Sequence, residues 1–352
     1  MSNKSLNKAP SETTILVTGG AGYIGSHTCV ELLNLGYKVV IIDDLSNSKK
    51  EAVRRIKEIT GADASNLVFY ENSLLEMDEV QNIFKENDID AIIHFAGYKA
   101  VGESVEKPLE YYVNNMMSSF VLCDCARDAG VKNLIFSSSA TVYGDPQEIP
   151  ITENCPKGIP TNPYGHTKSM QEQVFQDLHV GDNEWNIVLL RYFNPIGAHA
   201  SGKIGEDPKG IPNNLVPYVS QVAVGKLEKI RVWGNDYDTV DGTGVRDYIH
   251  VVDLAKGHVA ALNWMNGKSG VEVFNLGTGK GSSVLEVIKA FEGACGHELA
   301  YEICDRRPGD IATCYADVTK ASKELKWKAE FDINKMCEDS WRWQSQNPDG
   351  YR

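Results

Sequence analysis

The run Ile15-Leu16-Val17-Thr18-Gly19-Gly20-Ala21-Gly22-Tyr23-Ile24-Gly25 decides the reading of this chain. Three apolar residues followed at once by clustered glycines predict a buried strand, a tight turn, and a helix whose N-terminal N–H groups face an anion. That helix is expected from Ile24 to Leu35, with Gly36 as its stop. A second apolar strand, Val39-Val40-Ile41-Ile42, ends in Asp43, about 20 residues beyond the glycines, where a carboxylate accepts both ribose hydroxyl protons of a dinucleotide. An acid at this point favours NAD over NADP. Glycines between strand and helix also serve packing alone, but strand, turn, helix, second strand and acid in sequence favour a nucleotide-binding unit.

The alternation continues through Leu67-Val68-Phe69-Tyr70, Ala91-Ile92-Ile93-His94, Leu134-Ile135-Phe136 and Ile187-Val188-Leu189-Leu190, separated by longer helical patterns. This predicts an α/β fold with a Rossmann-type doubly wound parallel sheet. Ligands of such sheets gather at the C-terminal strand ends, so Asp43, His94-Phe95-Ala96-Gly97, Ser137-Ser138-Ser139 and Arg191-Tyr192-Phe193-Asn194 are site candidates. Beyond Asn194, Gly, Pro and Asn punctuate the chain and periodic segments shorten. Helices are expected over 218–224, 252–264, 283–295 and 333–346, and a strand over 271–276. The expected division is a NAD-binding domain over 11–195 and a smaller α+β substrate lobe over 196–352, some of whose segments are free to pack back on the first.

The 352 residues, 42% of them hydrophobic, are enough to bury a sizeable core. A formal net charge of −13 disfavours nucleic acid and anionic membranes as partners, while leaving room for an anionic small ligand met by local arginines. Residues 1–13 are polar, with neither a signal-peptide pattern nor an anchor, and no later run approaches bilayer-spanning length. Eight cysteines without a C-x-x-C pair or a His-Glu-x-x-His cluster fit reduced thiols, no metal, and a cytoplasmic location.

Tyr164 and Lys168 stand four residues apart, which on a helix puts both on one face. A tyrosine pKa of about 10 is too high for a base at neutral pH, but a lysine ammonium and a cationic nicotinamide would each favour the phenolate. Read alone, the pair also fits a solvated helix face. Ser139, at the end of the Leu134-Ile135-Phe136 strand, adds a hydroxyl able to hold the same substrate oxygen. Base, cation, hydroxyl and nicotinamide site together read as a hydride-transfer constellation.

With these residues the chain resembles the extended short-chain dehydrogenase/reductases, and within them the branch that epimerises UDP-hexoses. The likeness rests on the glycine stretch extended to Ser26-His27, on His94-Phe95-Ala96-Gly97-Tyr98-Lys99-Ala100-Val101-Gly102-Glu103-Ser104, on Ser137-Ser138-Ser139-Ala140-Thr141-Val142-Tyr143-Gly144, on Asn162-Pro163-Tyr164-Gly165 and on Arg191-Tyr192-Phe193-Asn194-Pro195. It continues through Gly210-Ile211-Pro212-Asn213-Asn214-Leu215, Gly242-Thr243-Gly244-Val245-Arg246-Asp247-Tyr248-Ile249-His250 and Arg307-Pro308-Gly309-Asp310.

The resemblance implies that Tyr164 is the base, that Lys168 holds the nicotinamide ribose and lowers the tyrosine pKa, and that Ser139 and Thr141 meet the sugar near O4. NAD contacts are then expected from Gly19, Gly20, Gly22, Tyr23, Ile24, Gly25, Asp43, Asp44, Ser46, Asn47, Asn72, Ser73, Phe95, Ala96, Gly97, Lys99, Asn114, Lys168 and Tyr192. UDP-sugar contacts are expected from Lys99, Ser139, Ala140, Thr141, Tyr164, Tyr192, Phe193, Asn194, Asn213, Asn214, Leu215, Arg231, Val232, Trp233, Arg246, Arg307, Asp310 and Cys314. A diphosphate needs cations, and Arg246 and Arg307 offer forked donors, although either alone would also suit a surface ion pair.

The implied reaction interconverts UDP-galactose and UDP-glucose by transient oxidation at C4 to a 4-keto sugar that turns in the site, with NAD regenerated each cycle and a homodimer joined through first-lobe helices. Asn72 replaces the usual aspartate near the adenine. Cys314 stands where some members carry tyrosine, so N-acetylated UDP-hexosamines enter the expected range; the other reading of Cys314 is a packing residue in the pocket wall. Another NAD-dependent nucleotide-sugar oxidoreductase, or a non-catalytic NAD-sensing regulator, stays open as an alternative.

Overall fold

The computed structural model describes residues 3–307 and 310–352. Its strands are β1 (Thr14–Thr18), β2 (Lys38–Ile42), β3 (Leu67–Tyr70), β4 (Ala91–His94), β5 (Asn133–Ser137), β6 (Asn186–Tyr192), β7 (Asn194–Ile196), β8 (Ile230–Trp233), β9 (Val245–Arg246), β10 (Tyr248–His250), β11 (Gly270–Leu276), β12 (Ser282–Ser283), β13 (Tyr301–Cys304) and β14 (Thr313–Cys314). The helices are α1 (Tyr23–Asn34), α2 (Lys50–Thr60), α3 (Met77–Glu86), α4 (Val101–Glu106), α5 (Pro108–Asp128), α6 (Pro163–Gly181), α7 (Leu215–Ala223), α8 (Val251–Met265), α9 (Val284–Cys295) and α10 (Ile333–Gln346).

Seven parallel strands form the central sheet in the order β11-β6-β5-β4-β1-β2-β3. The apolar runs read from the sequence are its middle: Ile15, Leu16, Val17, Ile41, Ile92, Ile93 and Leu134 are all within 1% of complete burial, as strands covered on both faces require. The chain leaves β1 toward β2 and β3, then returns to β4 on the other side. This reversal opens a crevice at the C-terminal ends of β1 and β4, the place where doubly wound sheets hold ligands. Gly36, at φ +87°, ends α1 as expected.

The division at residue 195 does not separate two bodies. β11, assigned above to the second lobe, pairs in parallel with β6 as the seventh strand. α8 packs against α1, and Leu254, Val259, Leu262, Phe274, Trp327 and Trp343 share one apolar core with Ile15, Val17 and Cys29. The expectation left segments of the second lobe free to pack back on the first, and β11 and α8 lie there; the strand itself shows in the sequence, but its neighbour in the sheet is set by tertiary packing. The smaller lobe is built on a separate core in which Val216, Val219, Ile230, Val232, Phe291 and Met336 pack together. Two-stranded β8–β13 and three-stranded β12–β9–β14 lie in it. Among the described residues no helix is long and apolar enough to cross a membrane.

Candidate functional site

The glycine turn is built by close approach. Gly19 has φ +71°, and a Cβ there would sit 2.8 Å from the Ala96 nitrogen; a Cβ on Gly25 would lie 2.3 Å from the Gly19 carbonyl oxygen. Helix α1 is thereby pressed against the end of β1, as the third glycine of this pattern requires. Gly22 caps α1 with no side-chain acceptor, and no acidic residue stands in the first turn. The N–H groups at Tyr23 and Ile24 thus face outward with the positive end of the helix dipole, a cradle suited to a pyrophosphate.

Asp43 lies where the sequence puts it, at the end of β2, and is almost fully buried. One carboxylate oxygen accepts from the Ala21 N–H at 3.0 Å, and the other from the Leu45 N–H at 3.0 Å and the Ser48 hydroxyl at 2.6 Å. A carboxylate offers about four lone-pair directions, so this one locks the turn and keeps one acceptor for a ribose hydroxyl. Asp44 accepts from the Ser46 N–H; Asp44, Ser46 and Asn47 line the exposed rim, and Asn72 and Ser73 follow β3 half-buried at the same edge. Phe95, Ala96 and Gly97 follow β4, with Ala96 N–H donating to the Thr18 hydroxyl. The residues present therefore fit a dinucleotide along this edge.

The reacting end lies at β5, β6 and α6. Asn162 caps α6, its Oδ1 accepting from the Gly165 N–H at 2.9 Å, and Pro163 holds the first helical position. Tyr164 is thereby set into the cleft in the first turn, 7% exposed. Ser139 caps the short turn at Ala140–Tyr143, its hydroxyl oxygen accepting from the Thr141 N–H at 3.2 Å and the Thr141 hydroxyl at 3.0 Å. The Ser139 hydroxyl also stands close enough to the Tyr164 phenol to favour its ionised form. One turn along α6, the Lys168 ammonium donates to the Ser137 carbonyl at 2.8 Å and lies 4.5 Å from the centroid of Phe136.

Burial dominates the electrostatics of this pair. It pushes the Tyr164 phenol well above its ordinary value, Tyr192 adds to that, and the nearby Ser139 hydroxyl opposes it. Burial also pushes Lys168 down to about 7, against the raising influence of Glu172. Both groups are driven toward their neutral forms by the same desolvation. The ammonium is 6.0 Å from the Tyr164 ring, so adjacency on one helix face is real, but the dry surroundings outweigh it.

On the opposite wall, Asn194, Asn213 and Asn214 are exposed, with Asn213 and Asn214 directly before α7. Arg231 and Trp233 point to one side of β8, while the side chain of Val232 lies in the small-lobe core at 0% exposure, leaving only its backbone to face a ligand. The Arg307 guanidinium stacks 4.8 Å over Trp233, and Arg246 pairs with Asp310 at 3.6 Å. Pro308 and Gly309 of the quoted motif lie outside the described residues. Cys314 sits beside Arg246 in β14 and packs with Ala140 against the cluster of Val142, Tyr143 and Phe193. Lys99 reaches toward Tyr23, its nitrogen 5.8 Å from the ring, and Asn114, Leu215, Phe193 and Tyr192 border the same cleft on α5, α7 and the end of β6.

Sequence reasoning missed the supports. Glu172 accepts from the Nε and Nη2 edge of the Arg191 guanidinium at 2.9 and 2.7 Å and from the Ser138 hydroxyl at 2.6 Å, tying α6 to the ends of β5 and β6. Asn115, fully buried, bonds Tyr98 N–H and Thr167, and Gln171 reaches Ser119, which touches His94. Asp247 holds Thr278, Gly279 and Ala316 N–H groups. Glu172 and Gln171 follow Lys168 on one face of α6, a signal the sequence does hold; the others lie in loops or on strands far apart in sequence.

The family model for the NAD dependent epimerase/dehydratase family matches residues 15–277, ending just past β11. The chain belongs to that family. It is 63% identical over 338 residues to the UDP-glucose 4-epimerase of Bacillus subtilis (strain 168), covering 96% of this chain and 98% of the relative. Among solved structures, the UDP-glucose 4-epimerase of Bifidobacterium longum in complex with NAD+ and UDP is 59% identical with a TM-score of 0.93, over 96% of this chain and 100% of that one. The UDP-Glc/GlcNAc 4-epimerase of Campylobacter jejuni is 36% identical with a TM-score of 0.83, over 95% and 99%. Among the described residues no group of three or more His, Cys, Asp or Glu is placed to hold a metal ion.

Proposed function

We propose that this chain interconverts UDP-galactose and UDP-glucose by epimerisation at C4. The observation that supports it most is the meeting of Tyr164, Ser139 and Lys168 at the ends of β5 and α6, across a cleft from arginines and asparagines of the small lobe. NAD, bound along the glycine turn, supplies a reversible hydride acceptor for the sugar carbon.

The chain's own groups do the rest. Tyr164 receives the proton of the 4-hydroxyl, and Ser139, hydrogen-bonded to Thr141 and beside the Tyr164 phenol, orients that oxygen. Lys168, fixed to the Ser137 carbonyl one helical turn from Tyr164, would hold the nicotinamide ribose. Burial raises the phenol pKa, so the base character of Tyr164 depends on cationic charge placed beside it in the dry pocket. Arg246, Arg307 and Asn214 anchor the diphosphate and uridine side, leaving the hexose held by few side chains and free to turn.

Substrate range follows from Cys314. Its small side chain beside Ala140 leaves space at the sugar 2-position, so N-acetylated UDP-hexosamines are accepted as well. A stripe on α5, Leu109, Val113, Met117 and Phe120, is 70, 49, 45 and 43% exposed at helical spacing and is the face through which two copies pair. All eight cysteines are free thiols, which fits a cytoplasmic setting.

The test is incubation of the purified protein with UDP-galactose or UDP-N-acetylgalactosamine and no added reductant, followed by product analysis. Conversion to the C4 epimers without accumulation of free NADH is expected. Tyr164→Phe should lose it while retaining nucleotide; turnover unaffected by that substitution, or net NADH release matching product, would refute the reading.

A further inference from the structure

Within the loop from Gly202 to Lys209, Glu206 occupies an unexpected position for an anion site, against a lysine from the sheet side and an asparagine from the small lobe. Its Oε1 accepts from Lys99 Nζ at 3.2 Å and from Asn214 Nδ2 at 3.3 Å. Lys99 comes from the loop after β4 on the sheet side, and Asn214 caps α7 on the small-lobe side. The Glu206 side chain is only 12% exposed, although the lysine it meets is 45% exposed. The Lys99 ammonium lies 5.8 Å from the ring of Tyr23, the first residue of α1, and Asn214 is an expected substrate anchor. One carboxylate oxygen therefore joins a cofactor-side donor to a substrate-side donor.

This placement is imposed by the backbone around Glu206. The Tyr351 hydroxyl accepts from the Gly205 N–H at 3.2 Å and donates to the Gly205 carbonyl at 3.3 Å. The Glu206 carbonyl accepts from the Trp343 indole N–H at 3.0 Å. A Cβ on Gly205 would fall 2.3 Å from the Trp343 ring, so the loop lies directly on that ring. Asp207 then accepts from the Tyr351 N–H at 3.0 Å and pairs with Lys49 at 3.0 Å, while Arg55 stacks over both Tyr351 and Trp343 at 5.1 and 5.7 Å. The C-terminal residues thus form a clasp that holds Glu206 in the cleft without any ligand.

An ammonium has three donors and an amide nitrogen two, so each group gives one hydrogen to Glu206 and keeps others for ligand. We infer that Glu206 is a positioning residue: held by the C-terminal clasp, its carboxylate fixes Lys99 and Asn214 in the orientations that receive the UDP-sugar. Repulsion between this carboxylate and an incoming diphosphate is the opposing effect. Preorganising two donors exceeds it, because the carboxylate is already neutralised by Lys99 and need not be desolvated on binding.

The inference rests on the proposed reaction, and UDP affinity measured by titration calorimetry on the full-length protein tests it apart from turnover. Glu206→Ala should weaken UDP binding about tenfold and raise KM for UDP-galactose by the same factor, with kcat lowered less than twofold. Glu206→Gln, which keeps the acceptor oxygen, should recover affinity to within about threefold of the unaltered protein. Because Glu206 acts in part through Asn214, Glu206→Ala combined with Asn214→Ala should cost less than the sum of the two single substitutions. If Glu206→Ala does not fold, Tyr351→Phe, which removes only the hydroxyl that grips Gly205, should weaken UDP by about threefold. Unaltered UDP affinity in these variants, tighter binding in Glu206→Gln, or strict additivity with Asn214→Ala would overturn the inference. If the unaltered protein itself failed to bind UDP, the proposed function would fall and this with it.

Discussion

Lys168 gives the sharpest quantitative prediction, because it places a lysine in dry surroundings at a cost to folding. Its pKa falls from 10.5 to about 7, chiefly through burial. At 1.36 kcal/mol per unit, the charged form is disfavoured by about 5 kcal/mol relative to the unfolded chain. Replacing it with methionine, which keeps the length and can lie on the Phe136 ring, removes that cost but leaves the Ser137 carbonyl without its donor. The orphaned carbonyl takes back about 1–3 kcal/mol, so Lys168→Met should stabilise the nucleotide-free protein by roughly 2–4 kcal/mol near pH 7. For a chain of this length that is about 3–5 °C in Tm. Epimerisation should be lost.

The pH dependence distinguishes this from ordinary packing. A lysine whose folded pKa lies below its unfolded value leaves the unfolded chain holding more protons between about pH 7 and 10.5, so the stability of the unaltered protein rises with pH across that window. Lys168→Met has no such group. The advantage of the variant should be greatest at or below pH 7 and close as pH approaches 10.5. Thermal unfolding of both proteins at pH 6.5, 8 and 9.5 measures the gap directly, since other titrations cancel in the difference. A gap that does not change with pH, or unaltered protein that is the more stable at pH 6.5, would refute the burial argument.

Glu172→Gln should destabilise by about 3–5 kcal/mol in denaturant unfolding, because it leaves the buried Arg191 guanidinium without its counter-charge, whereas Lys157→Gln, whose ammonium is 3.7 Å from the same carboxylate and a quarter exposed, should cost under about 1 kcal/mol. Gly25→Ala should empty the cofactor cleft, since its methyl cannot sit 2.3 Å from the Gly19 oxygen without moving α1 off β1; the 260 nm absorbance of the purified variant reports the loss. Met117→Glu with Phe120→Glu should convert a dimer to a monomer in sedimentation with the fold intact by circular dichroism, as both side chains are exposed on α5.

Most of the sheet was legible because its strands are covered on both faces. Continuous apolar runs at Ile15 to Val17, Val39 to Ile42 and Ile187 to Leu190 leave no alternation to misread, and the glycine turn fixes which end of β1 faces ligand. β11 lacks that property. Its first four residues are only half-buried, so it reads as an edge strand, and nothing local says whether that edge belongs to the small lobe or to β6. Short strands such as β9, β12 and β14, two residues each, carry no period and exist only through their pairing.

At the site, residue types were legible and their surroundings were not. Helical spacing places Tyr164 and Lys168 on one face, and they do lie 6.0 Å apart from ring to ammonium. Spacing also suggested that the ammonium would lower the phenol pKa, whereas burial by itself raises it: a Coulomb effect depends on the medium, and the medium is assembled from Phe136 and Ser137 on β5, Tyr192 on β6 and Asn115 on α5, three separate elements. Glu206 makes the same point from the opposite direction. An acid in a Gly- and Pro-rich loop has no local signal for function, and it matters only because Tyr351, 145 residues later by number, grips the peptide beside it. Chemistry that resides in a side chain can thus be read from a motif, whereas chemistry that resides in the dielectric or in a cross-cleft hydrogen bond emerges only once distant segments are packed together.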